Sequence, residues 1–419
     1  MSTQAGSPPA AAVEEPVETG GLRRAVGDYV AKVRSGDIGS LSSVLGVVVL
    51  VILFTVLNPG IFDTPRNFAN LLNQSAAVIF IAMGLVFVLL LGEIDLSAGY
   101  TAGTSAAVLG VLLSQGAPWW VAVLACLATG ALIGLLIGLL VALLGIPSFV
   151  VTLAAFLGLQ GVLLLVIGNG GTIPVRDPVI LRLMNSNLPV WGGWVFWALV
   201  VGGFVVLGLV NQARRRRAGL PTGNTTLFWA GAVGLAVLLA VAVYVLNLER
   251  AVNVDISSLR GVPVVVPVAA LFLVGLAFVL DRTRFGRHVY AVGGNAEAAR
   301  RSGINVARVR IACFMIGSTM AAVAGILLAS RDNSISPSTG GAQTLLFAVG
   351  AAVIGGVSLF GGKGKVHNAI LGGLVIAVIA NGLPLVTSEA GIQFVVTGAV
   401  LLLAASVDAI SRRKAVVTR

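Results

Sequence analysis

Two carboxylates stand two residues apart in Gly92-Glu93-Ile94-Asp95-Leu96-Ser97-Ala98-Gly99, between a long apolar run and one rich in Gly, Ala and Ser. An acid at the centre of a membrane helix costs about 2.5–3.5 kcal/mol on insertion scales, so such acids usually face a bundle interior or a wet cavity. There they could carry a proton or cation, bind solute hydroxyls, act as acid and base, or hold helices together. The plainer alternative is a short turn with both acids in solvent. A second stretch runs from Asp281 to Arg310, with Gly293-Gly294-Asn295-Ala296-Glu297-Ala298-Ala299-Arg300-Arg301-Ser302-Gly303-Ile304 at its centre. Asn295 fits an N-cap, Glu297 the first turn and Arg300 and Arg301 the last, and Gly303 the C′ position. A helix this short is marginal alone in water, so it needs a docking surface on its own protein or on a partner. A third stretch, Gly145-Ile146-Pro147-Ser148-Phe149-Val150-Val151-Thr152-Leu153, reads most simply as a turn leading into a helix with Pro in its first turn. Asn169-Gly170-Gly171-Thr172-Ile173-Pro174 reads as a polar loop at the opposite end.

The elements that must position these residues follow from composition. Hydrophobic residues make up 57% of the 419 and charged residues 10%, against about 25% charged in soluble domains. With a mean hydropathy of +1.01, a soluble enzyme, a disordered chain and a secreted disulfide scaffold are excluded. An all-α integral membrane protein remains, and 53 glycines suit close helix packing in lipid. A span needs about 20 apolar residues. Twelve runs qualify, near 41–57, 75–92, 97–114, 118–145, 149–168, 190–210, 227–247, 262–281, 310–330, 343–360, 368–384 and 391–410. The third, tenth and eleventh are short or interrupted by Gly, which predicts half-helices or re-entrant segments and a bundle of 10–12 spans. The expected organisation is a disordered cytoplasmic tail over 1–40, a transmembrane domain over 41–410 and a basic cytoplasmic tail over 411–419.

Charge placement orients the bundle. With twelve alternating spans and the N-terminus in the cytoplasm, 21 of the 27 Lys and Arg fall inside and six (Arg66, Arg176, Arg182, Arg250, Arg260 and Arg331) outside. The positive-inside rule then places both termini in the cytoplasm. The net charge of +11 sits in short loops, which argues against a nucleic-acid partner. No loop is long enough for a second domain, no secretory signal peptide is expected, and no GxxxxGK[ST] phosphate loop occurs. Gly361-Gly362-Lys363-Gly364-Lys365 reads as a tight turn. Cys126 and Cys313 lie in apolar runs and read as small core residues without a disulfide. His288 and His367 are too few for a metal site.

Several of these stretches resemble, in order, the inner-membrane permease subunits of bacterial carbohydrate ABC importers of the ribose/xylose/galactose group. GEIDLSAG is similar to that family's GGIDLSVG signature and PSFVVTL to its PSFIVTL. FGRHVYAVGGNAEAARRSGINV, Phe285 to Val306, is similar to its cytoplasmic loop with the EAA-type motif, and GGVSLFGGKG, Gly355 to Gly364, to a further family stretch. The likeness spans about residues 60 to 410. Glu93 in place of the usual Gly, and the additional hydrophobic sequence near 205–255 with its basic run Arg214–Arg217, resemble the xylose-type branch; Ala98 replaces a usual Val. The resemblance implies that the 41–410 domain is a sugar permease in the plasma (inner) membrane that is not itself an enzyme and carries no cofactor. Its implied partners are a second permease copy, a cytoplasmic ABC ATPase subunit and an extracytoplasmic sugar-binding protein. It also implies that Asn295, Glu297, Ala298, Ala299, Arg300 and Gly303 couple to the ATPase. Glu93, Asp95, Ser97, Gly99, Ser148 and Thr152 would belong to the signature region of the translocation pathway. The competing expectations are an ion-coupled secondary transporter using Glu93 and Asp95 as carriers and an intramembrane enzyme using them as acid and base, which no Ser-His or metal constellation supports.

Overall fold

The structure is a computed structural model that describes residues 41–168, 171–220, 224–251, 258–400 and 402. The tails expected over 1–40 and 411–419, most of the second half of the last expected span, and Asn169 and Gly170 lie outside the described residues. Helices α1 (Leu41–Leu57), α2 (Pro65–Leu90), α3 (Ala98–Ser114), α4 (Trp119–Leu143) and α5 (Ser148–Ile167) follow one another. Strand β1 (Ile173–Pro174) leads to α6 (Pro178–Asn185), α7 (Val190–Arg217), α8 (Thr225–Asn247) and α9 (Val265–Arg282). Two short helices, α10 (Arg284–Gly294) and α11 (Ala296–Arg301), precede α12 (Val306–Asp332), β2 (Ser334–Ile335), α13 (Ala342–Ile354), α14 (Val366–Val386) and α15 (Ala390–Val400). Among the described residues, eight helices are long and apolar enough to cross a membrane, and α1, α3, α13 and α15 are shorter apolar helices. Each of the twelve apolar runs therefore holds one helix, and the chain is a polytopic helical membrane protein.

The core lies around α2 and α12. In α2, 83% of the apolar stretch is buried against protein, against 6% in α7; α7 and α8 form a peripheral hairpin. Glycines set how closely the central helices approach. Gly130, Gly134 and Gly138 share one stripe of α4, and a Cβ at Gly134 would lie 2.5 Å from the Phe314 carbonyl oxygen of α12. Close backbone approach of this kind is how apolar helices gain packing energy where lipid removes the hydrophobic drive.

The short segments behave differently from one another. Between β2 and α13 the chain runs along α3: Ile335 packs at Gly110, the Thr339 carbonyl at Gly103 and the Gly341 carbonyl at Gly99. The eleven steps from Gly99 to Gly110 along α3 span roughly 16 Å, so α13 begins well inside the bundle and is only 13 residues long. The tenth run is thus the half-helix that its length predicts: the chain crosses from β2 at one end to Gly362 at the other and is non-helical before Ala342. The eleventh is not broken, since α14 is a continuous helix of 21 residues. Its Gly372 and Gly373 are packing positions, pressed against the Ala351 carbonyl and Ile79. That contact outweighs the roughly 1 kcal/mol helix cost of a glycine.

Loops gather at two ends. At one, Ile94 bonds Ser148, Gly362 bonds Leu90 and Arg310 pairs with Glu93. At the other, β1 pairs antiparallel with β2, Leu188 bonds Val262, and Asn185 bonds Ser330 and Asn333. Among the described residues, 13 Lys and Arg belong to the first end and six to the second.

Candidate functional site

The two acids sit in a genuine break. Helix α2 ends at Leu90, and Gly92 takes φ +75°, a left-handed turn that favours glycine. The chain is non-helical until Ala98. Asp95 is 1% exposed. Its Oδ1 accepts the Ser97 backbone N–H at 2.8 Å and the Ser97 hydroxyl at 2.6 Å, at the start of α3, where free N–H groups favour negative charge. Its Oδ2 is buried with no hydrogen-bond partner among the described residues. The Glu93 side chain is 14% exposed, and its Oε1 lies 3.0 Å from Arg310 Nε in the second turn of α12. The N–H is not aimed along that approach, so this is a contact ion pair rather than an aligned hydrogen bond. A turn with both acids in solvent is therefore excluded: each is enclosed by a different neighbour.

The third sequence stretch closes over the same break. Ser148 Oγ accepts the Ile94 N–H at 3.2 Å, and Thr152 Oγ1 donates to the Ile94 carbonyl at 3.2 Å. The start of α5 thus satisfies both backbone groups of the non-helical Ile94, whose side chain is exposed. Pro147 stands at the N-cap rather than inside the first turn, with an extended ψ of 132°, as expected for backbone entering a helix at Ser148. Gly99 permits the Gly340 and Gly341 carbonyls to reach α3. Glu93, Asp95, Ser97, Gly99, Ser148 and Thr152 accordingly form one joint between α2, α3, α5 and the chain before α13. Asp95 Oδ1, Ser148 Oγ and Thr152 Oγ1 engage the protein's own backbone.

The short helix is built as its sequence predicts. Asn295 Oδ1 accepts the Ala298 N–H at 2.9 Å. Glu297 pairs with Arg301 at 3.2 Å and Arg300 at 3.4 Å. Gly303, at φ +83°, donates to the Arg300 carbonyl, and Ile304 donates to the Ala299 carbonyl, a glycine-terminated helix end. Ala299 is buried beneath it, whereas Asn295, Glu297, Ala298, Arg300, Arg301 and Gly303 are exposed. The sequence does not separate α10 as a helix of its own. Thr283 caps it by accepting the Gly286 N–H, and Val289 and Val292 bury its inner face.

This unit is fastened to the break. Gly293 packs directly on the Leu90 carbonyl, which also accepts the Gly362 N–H at 2.8 Å. Tyr290 donates its hydroxyl to the Gly364 carbonyl at 2.7 Å. Burial, reinforced by the Asp281 carboxylate, pushes the Tyr290 hydroxyl up to about 12, so it remains a neutral donor at physiological pH. The 361–365 stretch is the expected tight turn, with Gly361 and Gly362 both at positive φ. Four sequence motifs thus meet at one end of the bundle. The Glu93–Arg310 pair bridges 217 positions and has no local sequence signal. Motif reading also misses Asn70, Gln74, Gln343 and Asn381, amides inside apolar helices near the opposite end, although the cost of a polar group in a membrane helix could have singled them out. Among the described residues no cluster of His, Cys, Asp and Glu is placed to hold a metal ion.

Comparison with known proteins adds five findings. The family described as branched-chain amino acid transport system / permease component matches residues 67–405. The xylose transport system permease protein of Escherichia coli (strain K12) is 36% identical over 372 residues, 88% of this chain and 92% of that protein. The Haemophilus influenzae protein of the same description is 33% identical over 388 residues, 91% of this chain and 99% of the relative. The Escherichia coli (strain K12) ribose import permease protein is 30% identical over 367 residues, 87% and 92%. No solved structure matches.

Proposed function

This chain belongs to the family of branched-chain amino acid transport system permease components, and from that membership we propose that it is the membrane subunit of a binding-protein-dependent sugar importer, for xylose. A separate cytoplasmic ATPase supplies the energy, and the chain itself is not an enzyme. The observation that carries the reading is the exposed, self-capped helix α11, fastened through α10 to the broken α2–α3 joint. The two relatives named as xylose transport permeases, alike over nearly their full length, support the sugar. Glu93, which the resemblance links to the xylose-type branch, supports it further.

In the proposed cycle α11 seats in a groove of the ATPase, and two copies of the permease enclose the pathway. ATP binding moves the α10–α11 unit. Gly293 on Leu90 and Arg310 on Glu93 pass that movement to the joint, biasing which end is open. The sugar-binding protein delivers solute at the other end. Asn295, Glu297, Ala298, Ala299, Arg300 and Gly303 are the coupling residues. Glu93, Asp95, Ser97, Gly99, Ser148 and Thr152 are the joint residues of the pathway. The unpartnered Oδ2 of Asp95 favours one other reading, an ion-coupled transporter with that acid as carrier.

The proposal places the chain in the inner membrane with both termini and the 282–309 loop in the cytoplasm, supported by the 13 to six division of basic residues between the two ends. Single cysteines at Arg284 and Asn333, both exposed positions, are expected to react with an impermeant thiol reagent from opposite faces. Reaction of both from one face would overturn the orientation. The functional test is co-purification with an ATPase and a binding protein encoded beside this chain, followed by xylose binding to the latter; failure of either partner to associate counts against the importer.

A further inference from the structure

A cavity of about 460 Å³ opens between α2, α12, α13 and α14, in the half of the bundle away from α11. That volume falls within the roughly 300–1,000 Å³ typical of small-molecule sites. Its wall carries Asn70, Gln74, Gln343 and Thr344, with Phe347 and other apolar groups behind them and Arg331 at one side. Amide groups facing hydrocarbon would lose several kcal/mol each, so this wall belongs to a watered cleft and not to the lipid surface.

The amides are held in place. Asn67 Nδ2 donates to Asn381 Oδ1 at 2.8 Å, and Asn381 Nδ2 donates to Gln74 Oε1 at 3.3 Å. Asn381 is 6% exposed, so a buried amide fixes the Gln74 carbonyl and leaves the Gln74 amide donors to the cleft. The one charged group on the wall is answered on its own helix: Arg331 Nε lies 2.8 Å from Asp332 Oδ1 and its Nη2 3.2 Å from Oδ2. The cleft therefore offers several donors and acceptors, an aromatic face and no unpaired charge.

We infer that this cleft is a solute-holding subsite of the pathway, with Gln74 and Gln343 reading the hydroxyls of a neutral polyhydroxylated molecule. Amide groups can donate and accept at once, as a hydroxyl does, so they suit a sugar. A zwitterionic amino acid would require countercharges that Arg331, already paired, does not supply. Helix α13 starts inside the bundle, and its first turn carries Gln343 and Thr344 to this wall, which gives the half-helix a role. Asn381 is a positioning residue acting through Gln74.

The inference rests on the importer reading, and its test separates the two. The complete assembly in liposomes is supplied with radiolabelled D-xylose, and Gln74→Leu and Gln343→Leu are compared with the wild type. Each is expected to slow uptake about ten-fold or more at saturating binding protein, with ATPase association unchanged, since each deletes a hydrogen-bonding pair. Independently, Thr344→Cys is expected to react with an impermeant thiol reagent from the face opposite α11 and to be protected by xylose-loaded binding protein. Cys126 and Cys313 are buried, so the background is low. Wild-type rates in both leucine variants, or a Thr344→Cys variant that stays unreactive in an active assembly, overturns the subsite. A wild-type assembly that moves no xylose overturns the importer reading instead, and Thr344→Cys reactivity then judges the cleft alone.

Discussion

Asp95→Ala is expected to abolish xylose uptake or assembly, whereas Glu93→Gly keeps residual uptake. The Asp95 carboxylate holds the Ser97 N–H and hydroxyl in a site closed to water. Alanine leaves a buried backbone donor without its partner, at about 1–3 kcal/mol, and frees the turn that starts α3. Glu93 instead faces an Arg310 side chain that is 30% exposed; water takes over part of its role, so the loss there is at the small end for ion pairs. Asp95→Asn separates structure from charge, because an amide oxygen can still accept from Ser97. Substantial uptake by Asp95→Asn supports the joint; complete loss in Asp95→Asn with normal assembly points to a proton carrier. A reversed order, with Glu93→Gly inactive and Asp95→Ala active, would mean that the essential acid is the other one.

Glu297→Arg is expected to uncouple transport while the protein still folds. The change puts a cation in the first turn of α11, which disfavours the helix by about 0.3–1 kcal/mol, and removes the pairs to Arg300 and Arg301, each worth a few tenths of a kcal/mol. The packing beneath is untouched: Ala299, Val289 and Val292 stay buried, and Asn295 still caps. The large effect falls on the exposed docking face, where a carboxylate becomes a guanidinium. The variant should be recovered in membranes at normal yield, lose the ATPase on purification and import little sugar. Normal uptake with normal assembly would remove α11 from the coupling role.

Much of this architecture is legible in the chain because lipid imposes a strong filter: a buried span must be apolar for about 20 residues, so hydropathy alone places twelve helices. Punctuation is equally local. Asn295, Glu297 and Gly303 act within their own turn, and their spacing is sufficient to draw α11. The joint is only half visible. Glu93 and Asp95 stand out as charges in an apolar setting, and Asp95 finds Ser97 two residues on, but Arg310 pairs with Glu93 and Ser148 and Thr152 hold the Ile94 backbone between the acids, and sequence carries no record of such distant pairings. Gly372 and Gly373 mislead in the other direction, because a glycine pair looks the same whether it breaks a helix or admits a neighbour's backbone. The amide cleft escapes for a third reason. Asn70, Gln74, Gln343 and Asn381 are uncharged and scattered over three helices, and only the packing of α2, α13 and α14 brings them together.

The central claim is that this chain moves a sugar with energy drawn from ATP on another protein. The direct measurement is xylose uptake into liposomes carrying the chain, with and without the ATPase, the binding protein and a protonophore. The account predicts no uptake by the chain alone and ATP-dependent uptake by the full assembly that persists when the proton gradient is collapsed. Uptake by the chain alone, driven by a pH gradient and lost with the protonophore, would contradict it and make Asp95 the carrier of an ion-coupled transporter.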